Sequence, residues 1–437
     1  MGHVTGKDLY RELGGKIDGM MFRAPQNEKF YSILRELYSN DEANAVIKMP
    51  YCFSNLERIA RATGYNETKL QYILDSLTAK GLVLDIWVKG EYYYMPSPIV
   101  VGIFEFTMMR TGDGHDPKKW AYLLHDYMQG DNSFYAVNLQ NNEKISIMRS
   151  LPHAEAVRPS EFVEVLDYEK ASSLVEEADR FSVGICSCRH KALHIGTKEC
   201  EVPLESCTSL GRAADYVIRH KFGREISKDE MLKTLELSID HGLVLNADNV
   251  QRRIMFICQC CKCCCTTLQG ISRFGYPNTV ITSNFIAELN EDNCTGCGKC
   301  EKACPIKAIK MVSITNPESK KKKKAVVEKD ICLGCGVCGL QCKFKGIQLV
   351  KRQQRVIHPE TTFDRIILQS LERGTVQNQL FDDPTRITHQ FMRGFLGAFF
   401  KLPAVKKAVM SDLLRSTFLR TVKVGAKLQG REWLADL

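Results

Sequence analysis

Two runs of four cysteines in the C-terminal third constrain this chain more than any other feature. The first run is Cys294, Cys297, Cys300 and Cys304, with Pro305 directly after it. The second run is Cys332, Cys335, Cys338 and Cys342, and it repeats the spacing C-x2-C-x2-C-x3-C. Thiolates at this spacing hold [4Fe–4S] clusters, which carry single electrons. The runs therefore predict a compact unit built around two such clusters.

The spacing also indicates which cysteines share a cluster. Three thiolates in one short loop reach three corners of a cubane, but the fourth corner lies beyond that loop. In two-cluster proteins the fourth cysteine of each run binds the other cluster. We therefore assign Cys294, Cys297, Cys300 and Cys342 to one cluster. The other cluster is assigned to Cys332, Cys335, Cys338 and Cys304.

The segment that carries both runs, residues 285–350, resembles bacterial-type two-[4Fe–4S] ferredoxins. The resemblance implies low-potential one-electron transfer. The expected strands are Phe285–Leu289, Ala308–Ile314, Ala325–Glu328 and Ile347–Val350. Between the inner two strands, residues 316–319 and the five lysines Lys320–Lys324 form a predicted solvated loop, with partner docking as the alternative. Lys343 replaces the proline in the second run, and its charge is expected to raise the potential of the nearby cluster.

Ten further cysteines lie upstream, and six of them fall within eight residues. They are Cys186, Cys188, Cys200, Cys207, Cys258, Cys260, Cys261, Cys263, Cys264 and Cys265. This density predicts metal binding, and ten thiols suffice for one cluster with spare thiols or for two clusters. The expected ligands are Cys186 and Cys188 with members of the set Cys200, Cys207, Cys258, Cys261, Cys263 and Cys265. We expect at least one further [4Fe–4S] cluster here, with zinc as the less favoured alternative.

Both upstream cysteine groups are expected to follow strands. Phe181–Ile185 and Arg253–Ile257 are short apolar segments that lead into the two groups. Arg189, His190 and His194 are predicted to form hydrogen bonds or to compensate charge, with a catalytic role beside an open iron as the alternative. The chain contains no recognisable P-loop, dinucleotide fingerprint or Ser-His-Asp set, so no catalytic residue is assigned.

Nineteen cysteines raise the question of a disulfide-rich secreted protein. The 437-residue chain is long, its first residues are polar, and eighteen cysteines are concentrated between Cys186 and Cys342. Such clustering favours metal binding over disulfides. No uncharged apolar run reaches the roughly 18–20 residues of a membrane span. We therefore expect a cytoplasmic protein of an anaerobic or low-oxygen cell.

The pattern of elements predicts an α+β multidomain protein. The predicted domains are a winged helix (1–110), a cysteine-rich α/β metal-binding domain (111–284), a two-cluster domain (285–352) and a basic helical tail (353–437). In the first, a capping box opens at Ser54, Asn66 caps a helix over Glu67–Lys80, and a hairpin turns at Lys89. That helix mixes acidic and basic residues, which favours a docking or structural role and disfavours nucleic-acid binding.

The tail carries much of the net charge of +9. Two helices are expected over Thr388–Phe400 and Ala404–Gln429, and the first is amphipathic, with Phe391, Phe395, Phe399 and Phe400 as its apolar residues. We expect this face to pack on the protein's own body or in a subunit interface. Contact with a membrane surface through the basic helices is the alternative.

The whole chain also resembles a family of large ferredoxin-like iron–sulfur proteins of anaerobic bacteria and archaea. The resemblance rests on the N-terminal domain with Gly102–Phe106, the Cys-x-Cys-Arg segment at Cys186, the run from Cys258 and the two-cluster unit. It implies a redox protein without an assigned reaction. We expect a relay of single low-potential electrons to or from a partner oxidoreductase. The alternatives are an iron–sulfur reductase with a substrate-accessible cluster and a redox-sensing DNA-binding regulator. The sequence does not indicate an oligomeric state.

Overall fold

The computed structural model describes residues 3–112, 114–139, 145–315, 321–354, 356 and 358–437. Helices and several small sheets occur together, which confirms the α+β class. In the described residues the strands are β1 (Ser54–Asn55), β2 (Val83–Val88), β3 (Glu91–Pro96), β4 (Met148–Leu151), β5 (Phe181–Ile185), β6 (Glu205–Leu210), β7 (Gly223–Ile226), β8 (Val244–Asp248), β9 (Phe256–Cys260), β10 (Phe285–Leu289), β11 (Ile309–Ser313), β12 (Lys323–Val327) and β13 (Ile347–Lys351).

The helices are distributed over the whole chain. Over the same described ranges they are α1 (His3–Asp18), α2 (Glu28–Leu37), α3 (Asn40–Lys48), α4 (Leu56–Thr63), α5 (Glu67–Ala79), α6 (Phe104–Met109), α7 (Pro117–Gln129), α8 (Ser133–Asn138), α9 (Ala171–Glu176), α10 (Ser187–His194), α11 (Gly211–Arg219), α12 (Lys228–Asp240), α13 (Thr266–Ser272), α14 (Lys299–Ala303), α15 (Val337–Leu340), α16 (Thr362–Glu372), α17 (Val376–Leu380), α18 (Ile387–Lys401), α19 (Pro403–Val409) and α20 (Asp412–Leu428). None of these described helices is both long enough and apolar enough to cross a bilayer.

The chain divides into two compact units. The first consists of Met1–Ile145, Ile218–Phe222 and Thr361–Leu437, and the second of Ser146–Val217 and Gly223–Glu360. The tail therefore shares a unit with the N-terminal segment, and the upstream cysteines share a unit with the two four-cysteine runs. The four predicted domains are a finer division, and their boundaries stay predictions.

The first unit contains the predicted hairpin and the helix before it. Strands β1, β3 and β2 form one antiparallel sheet, and α5 is capped by Asn66, whose side chain accepts a hydrogen bond from the Lys69 amide. The predicted capping box at Ser54 is wrong by one residue. Ser54 pairs with Tyr94 in the sheet, so the helix begins later and Asn55 accepts the capping bond from the Arg58 amide.

The tail helices pack within this first unit. Asp382, which is fully buried, accepts two hydrogen bonds from Arg58 and one from Arg431, and it thereby joins three distant segments of the chain. Phe400 of α18 lies in an apolar core with Ile367, Leu371 and Val376. The predicted helix over Ala404–Gln429 is divided into α19 and α20, because Ser411 is extended between them.

The second unit is organised by a six-stranded antiparallel sheet with the order β4-β8-β9-β6-β5-β7. Strand β9 runs through Cys260, whereas the sequence predicted a strand that ends at Ile257. Its start is displaced because Arg253 has a left-handed backbone (φ 52°), which interrupts an extended segment. Two smaller antiparallel pairs, β10 with β13 and β11 with β12, hold the four-cysteine runs at the predicted positions. Residues 316–320 of the predicted loop lie outside the described residues.

Candidate metal centres

Each four-cysteine run contains a glycine in a loop that a neighbouring strand contacts closely. Gly296 and Gly334 occupy equivalent positions and have left-handed backbones, with φ of 71° and 68°. A Cβ atom on Gly334 would lie 2.1 Å from the carbonyl oxygen of Phe285, and one on Gly296 would lie 2.4 Å from that of Lys323. The strands therefore press directly on both loops, which turns the thiols of each loop inward.

One cavity collects four thiols from both runs. Its walls include Cys304 of the first run and Cys332, Cys335 and Cys338 of the second. All four cysteines are buried. Apolar residues complete the wall, among them Ile306, Leu333 and Leu349. This donor set and its apolar surroundings fit a [4Fe–4S] cluster, which thiolates bind and hydrophobic walls shield.

The remaining four thiols are arranged around the loop of Cys294. The Cys342 Sγ accepts a hydrogen bond from the Gly346 amide at 3.2 Å, and a Cβ on Gly346 would lie 2.9 Å from the Cα of Cys294. The segment after Cys342 thus packs on the start of the first run. The first run is more accessible to solvent than the second, and Cys297 is exposed.

The two halves of this segment repeat the same contacts. The Cys304 Sγ accepts a bond from the Ala308 amide at 3.2 Å, the counterpart of the Cys342 contact. The Ala308 carbonyl then accepts a bond from Glu328, and the Gly346 carbonyl accepts one from Asn290. In both halves, therefore, the segment after the fourth cysteine is tied to the residues that precede the other run.

Charge interactions follow the same grouping. Burial raises the pKa of Cys335 to about 12, and the charges of Cys332 and Cys304 add to this rise. Burial also raises the pKa of Cys300, and there Cys294 and Cys297 contribute. The exposed Cys297 behaves differently, because a hydrogen bond from the Lys299 amide holds its pKa below the usual range.

Comparison with known protein families agrees with this geometry. Residues 293–345 match the 4Fe-4S dicluster domain. The match and the cysteine groups support an iron–sulfur protein that carries electrons. No curated protein and no solved structure matches the chain.

The upstream cysteines of the second unit form two groups. The compact group consists of Cys200, Cys261, Cys263 and Cys264, whose sulfur atoms all lie within 4.8 Å of one another. Three of these were predicted ligands. Cys264 was not among them. The signal that would have found it is the short spacing from Cys261 to Cys264 on a single turn.

The extended group lies at the end of the large sheet. Cys188, Cys265, Cys260 and Cys258 are linked through hydrogen bonds between successive thiols, and the charges of Cys207 and Cys186 act on Cys258. Five of these six were predicted ligands, and Cys260 was not. The six thiols are brought together because β5 ends beside Cys186, β9 contains Cys258 and Cys260, and Cys265 precedes α13.

One row of the sheet is composed of small or polar residues on the side of the extended group. Adjacent strands pair Gly223 with Gly184, Gly184 with Cys207, Cys207 with Cys258, and Cys258 with Asn246. Cross-strand partners point to the same face, so this row leaves room beside the two cysteines. Asn246 is fully buried beside these cysteines, and neither atom of its side-chain amide makes a hydrogen bond in the part of the chain that the structure describes. Sequence reasoning missed Asn246, because only strand register places it there.

Two buried cations of α10 lie among the upstream thiols. Arg189 donates hydrogen bonds to the Ser206 hydroxyl and to the Gln259 carbonyl. Burial opposes its charge, but the thiols of Cys186, Cys261 and others raise its pKa above the usual range. Lys191 donates to the Thr266 hydroxyl at 3.0 Å, and burial lowers its pKa to about 8. The prediction of hydrogen bonding and charge compensation by Arg189 agrees with these contacts.

The compact group also contacts the dicluster domain. Lys262 lies between Cys261 and Cys263, and its ammonium group donates a hydrogen bond to the Lys302 carbonyl at 3.0 Å. Lys302 belongs to α14 and lies between Cys300 and Cys304 in the sequence. On the buried side of the dicluster domain, the His153 amide donates to the Cys335 carbonyl at 3.0 Å. Residues upstream of the dicluster domain thus contact it through Lys262 and through His153, within the same unit.

Proposed function

We propose that this protein relays single low-potential electrons between its interior and a partner oxidoreductase. The observation that carries the proposal is the pairing of a buried set of four thiols with a solvent-accessible set, joined by the reciprocal contacts of Cys304 and Cys342. When bound, [4Fe–4S] clusters supply one-electron redox chemistry. The chain's own residues position the sulfur ligands, exclude water from the buried set and leave the other set open to a partner.

We assign the eight dicluster cysteines as ligands in the two sets described above. The extended upstream group is the best candidate for a third cluster, because six thiols converge there on a buried face of the sheet. Buried Arg189 and Lys191 offset the negative charge of thiolate ligands in this region. We propose that electrons pass from this group into the dicluster domain, because both lie in the same unit.

The alternatives are supported less well. A reductase with a substrate-accessible iron requires an incomplete thiolate shell, whereas the extended group offers six thiols for four corners. We interpret residues 1–110 as a winged-helix domain that docks or scaffolds. A DNA-binding regulator requires a basic face on α5, but Lys69 of this helix is paired with Asp41 at 2.9 Å. We place the protein in the cytoplasm, because a reducing compartment preserves the thiolates that clusters need.

The test is anaerobic iron and sulfide analysis of the full chain, with EPR of the reduced protein. We expect about twelve irons per chain, four for each of three clusters. The reduced dicluster domain is expected to show magnetic interaction between two neighbouring clusters. The matched control is Cys52→Ser, because Cys52 lies in the other unit, where its thiol donates hydrogen bonds to Gln379. Fewer than about eight irons, or clusters that accept no electrons, would overturn the proposal.

We further propose that α18 and α20 bind an anionic membrane surface. Residues 386–431 contain ten lysines and arginines and a single acidic residue, Asp412. One face of α18 packs in the core through Phe400, but Ile387, Phe391, Phe395 and Phe399 on another face are exposed. Exposed aromatic residues at helical spacing beside cationic residues favour the boundary of an anionic bilayer.

Replacing Phe391 and Phe395 together with serine is expected to weaken binding to anionic vesicles at least about tenfold. The reason is that two large apolar side chains no longer enter the lipid interface. Co-sedimentation with vesicles that contain phosphatidylserine measures the effect, and Tyr72→Ser, an equally exposed position on α5, is the control. If wild-type protein does not bind anionic vesicles at low salt, the proposed membrane contact is wrong. The exposed face of α18 would then be expected to bind a protein partner.

A further inference from the structure

The four thiols of the compact group are closer together than the corners of a cluster allow. The Cys200 Sγ lies 3.6 Å from that of Cys261 and 3.9 Å from that of Cys264, and the Cys263 and Cys264 sulfurs are 3.5 Å apart. In a cubane each thiolate binds a different iron and points away from the centre. The sulfur ligands of such a cluster therefore diverge and cannot approach one another this closely.

A single tetrahedral ion sets a different spacing. Zinc binds thiolate sulfur at about 2.3 Å, and a tetrahedron with that radius has edges of about 3.8 Å. The three measured separations bracket this value. Four cysteines at the corners of a tetrahedron form the ordinary ligand set of a closed structural zinc site. Both the donor set and its size therefore match one zinc ion.

The sequence around these cysteines suits a mononuclear site as well. Cys261, Cys263 and Cys264 come from one short turn, and Cys200 comes from an irregular segment between α10 and β6. The turn and the segment meet in a small apolar cluster with Ala192, Val202 and Leu243. Such a cluster is too small to hold two irregular segments firmly, and a metal ion would supply the missing cross-link.

We infer that Cys200, Cys261, Cys263 and Cys264 bind one structural Zn²⁺ ion, in a site separate from the clusters. The ion ties the segment of Cys200 to the turn after β9. It also fixes Lys262, whose ammonium group bonds the Lys302 carbonyl beside the dicluster domain. The zinc site thus stabilises the contact between Lys262 and Lys302. It carries no electrons, because zinc has no redox chemistry in proteins.

The experiment measures zinc and iron together in anaerobically purified full-length protein. We expect one zinc per chain, and Cys200→Ser is expected to lose the zinc while it keeps the iron of the wild type. The matched variant is Cys207→Ser, which alters the extended group and is expected to retain the zinc. Wild-type protein with less than about a tenth of an equivalent of zinc would overturn the inference.

A second measurement does not depend on the folding of a variant. X-ray absorption at the zinc edge of the wild-type protein is expected to report four sulfur neighbours at about 2.3 Å. Zinc coordinated by nitrogen or oxygen would contradict the inference, and so would Cys200→Ser protein that loses about four irons but keeps its zinc. These readouts are independent of the proposed relay, because a protein whose clusters fail to transfer electrons would still show the zinc site.

Discussion

Replacing Cys304 and Cys332 together with serine is expected to remove one cluster, whereas replacing Cys304 and Cys297 is expected to remove two. Cys304 lies in the cavity of Cys332, so the first pair of substitutions affects a single ligand set. The second pair removes one ligand from each set. Iron analysis should therefore show a loss of about four irons in the first variant and about eight in the second.

The matched control replaces two cysteines of the other ligand set. Cys342→Ser with Cys294→Ser should cost about four irons, because the segment after Cys342 packs on Cys294. The EPR spectra of the two variants that each lose about four irons should differ. The Cys304 and Cys332 variant retains the solvent-accessible cluster, whereas the Cys342 and Cys294 variant retains the buried one. If Cys304 served its own run, Cys304 with Cys297 would instead lose only about four irons, and the ligand assignment would be wrong.

The dicluster domain could be predicted from the sequence because its information is local. Three ligands of each cluster lie within seven residues, the loop glycines are adjacent to them, and the strands that press on the loops flank the same segment. The predicted strands lie within two residues of their observed bounds. Such a unit needs few long-range contacts to be specified, so spacing alone describes most of it.

The upstream thiols could be predicted as a metal-binding region but not sorted into groups. Cys200 lies in an irregular segment whose path brings it beside Cys261. Cys207 lies beside Cys258 because β6 pairs with β9. Strand register and loop path decide these neighbours, and neither is encoded in cysteine spacing. The same limit applies to Asn246, an ordinary strand residue until its register places it beside the extended group.

The tail shows a third kind of limit. Its periodicity predicted helices and an apolar set that included Phe400, and we expected this set to be covered by the protein's own body or by another subunit. Within the first unit Phe400 packs inward, whereas Phe391 and Phe395 are exposed. Hydrophobic periodicity reports that a helix has an apolar side, but a helix with two apolar stripes needs tertiary contacts to show which one is buried.

The largest effect of a single small substitution is expected at Gly334. Gly334→Ala should abolish the buried cluster, because the new Cβ would lie 2.1 Å from the Phe285 carbonyl and 2.3 Å from the Ser283 hydroxyl. The left-handed backbone adds about 1–2 kcal/mol for any residue with a Cβ, and the overlap with β10 adds about 1–3 kcal/mol more. The loop must then move away from the strand, and Cys332 and Cys335 on either side of it move as well.

Gly298→Ala separates these two effects. Gly298 has a similar left-handed backbone, with φ of 74°, but the nearest atom to its Cβ would be the Met311 side chain at 3.7 Å. This variant is destabilised only by the left-handed backbone and should keep all of its iron. Iron content and the EPR spectrum of the reduced protein measure both variants. Equal iron in the two would mean that β10 does not hold the Gly334 loop in place, and that the buried ligand set depends on its thiols alone.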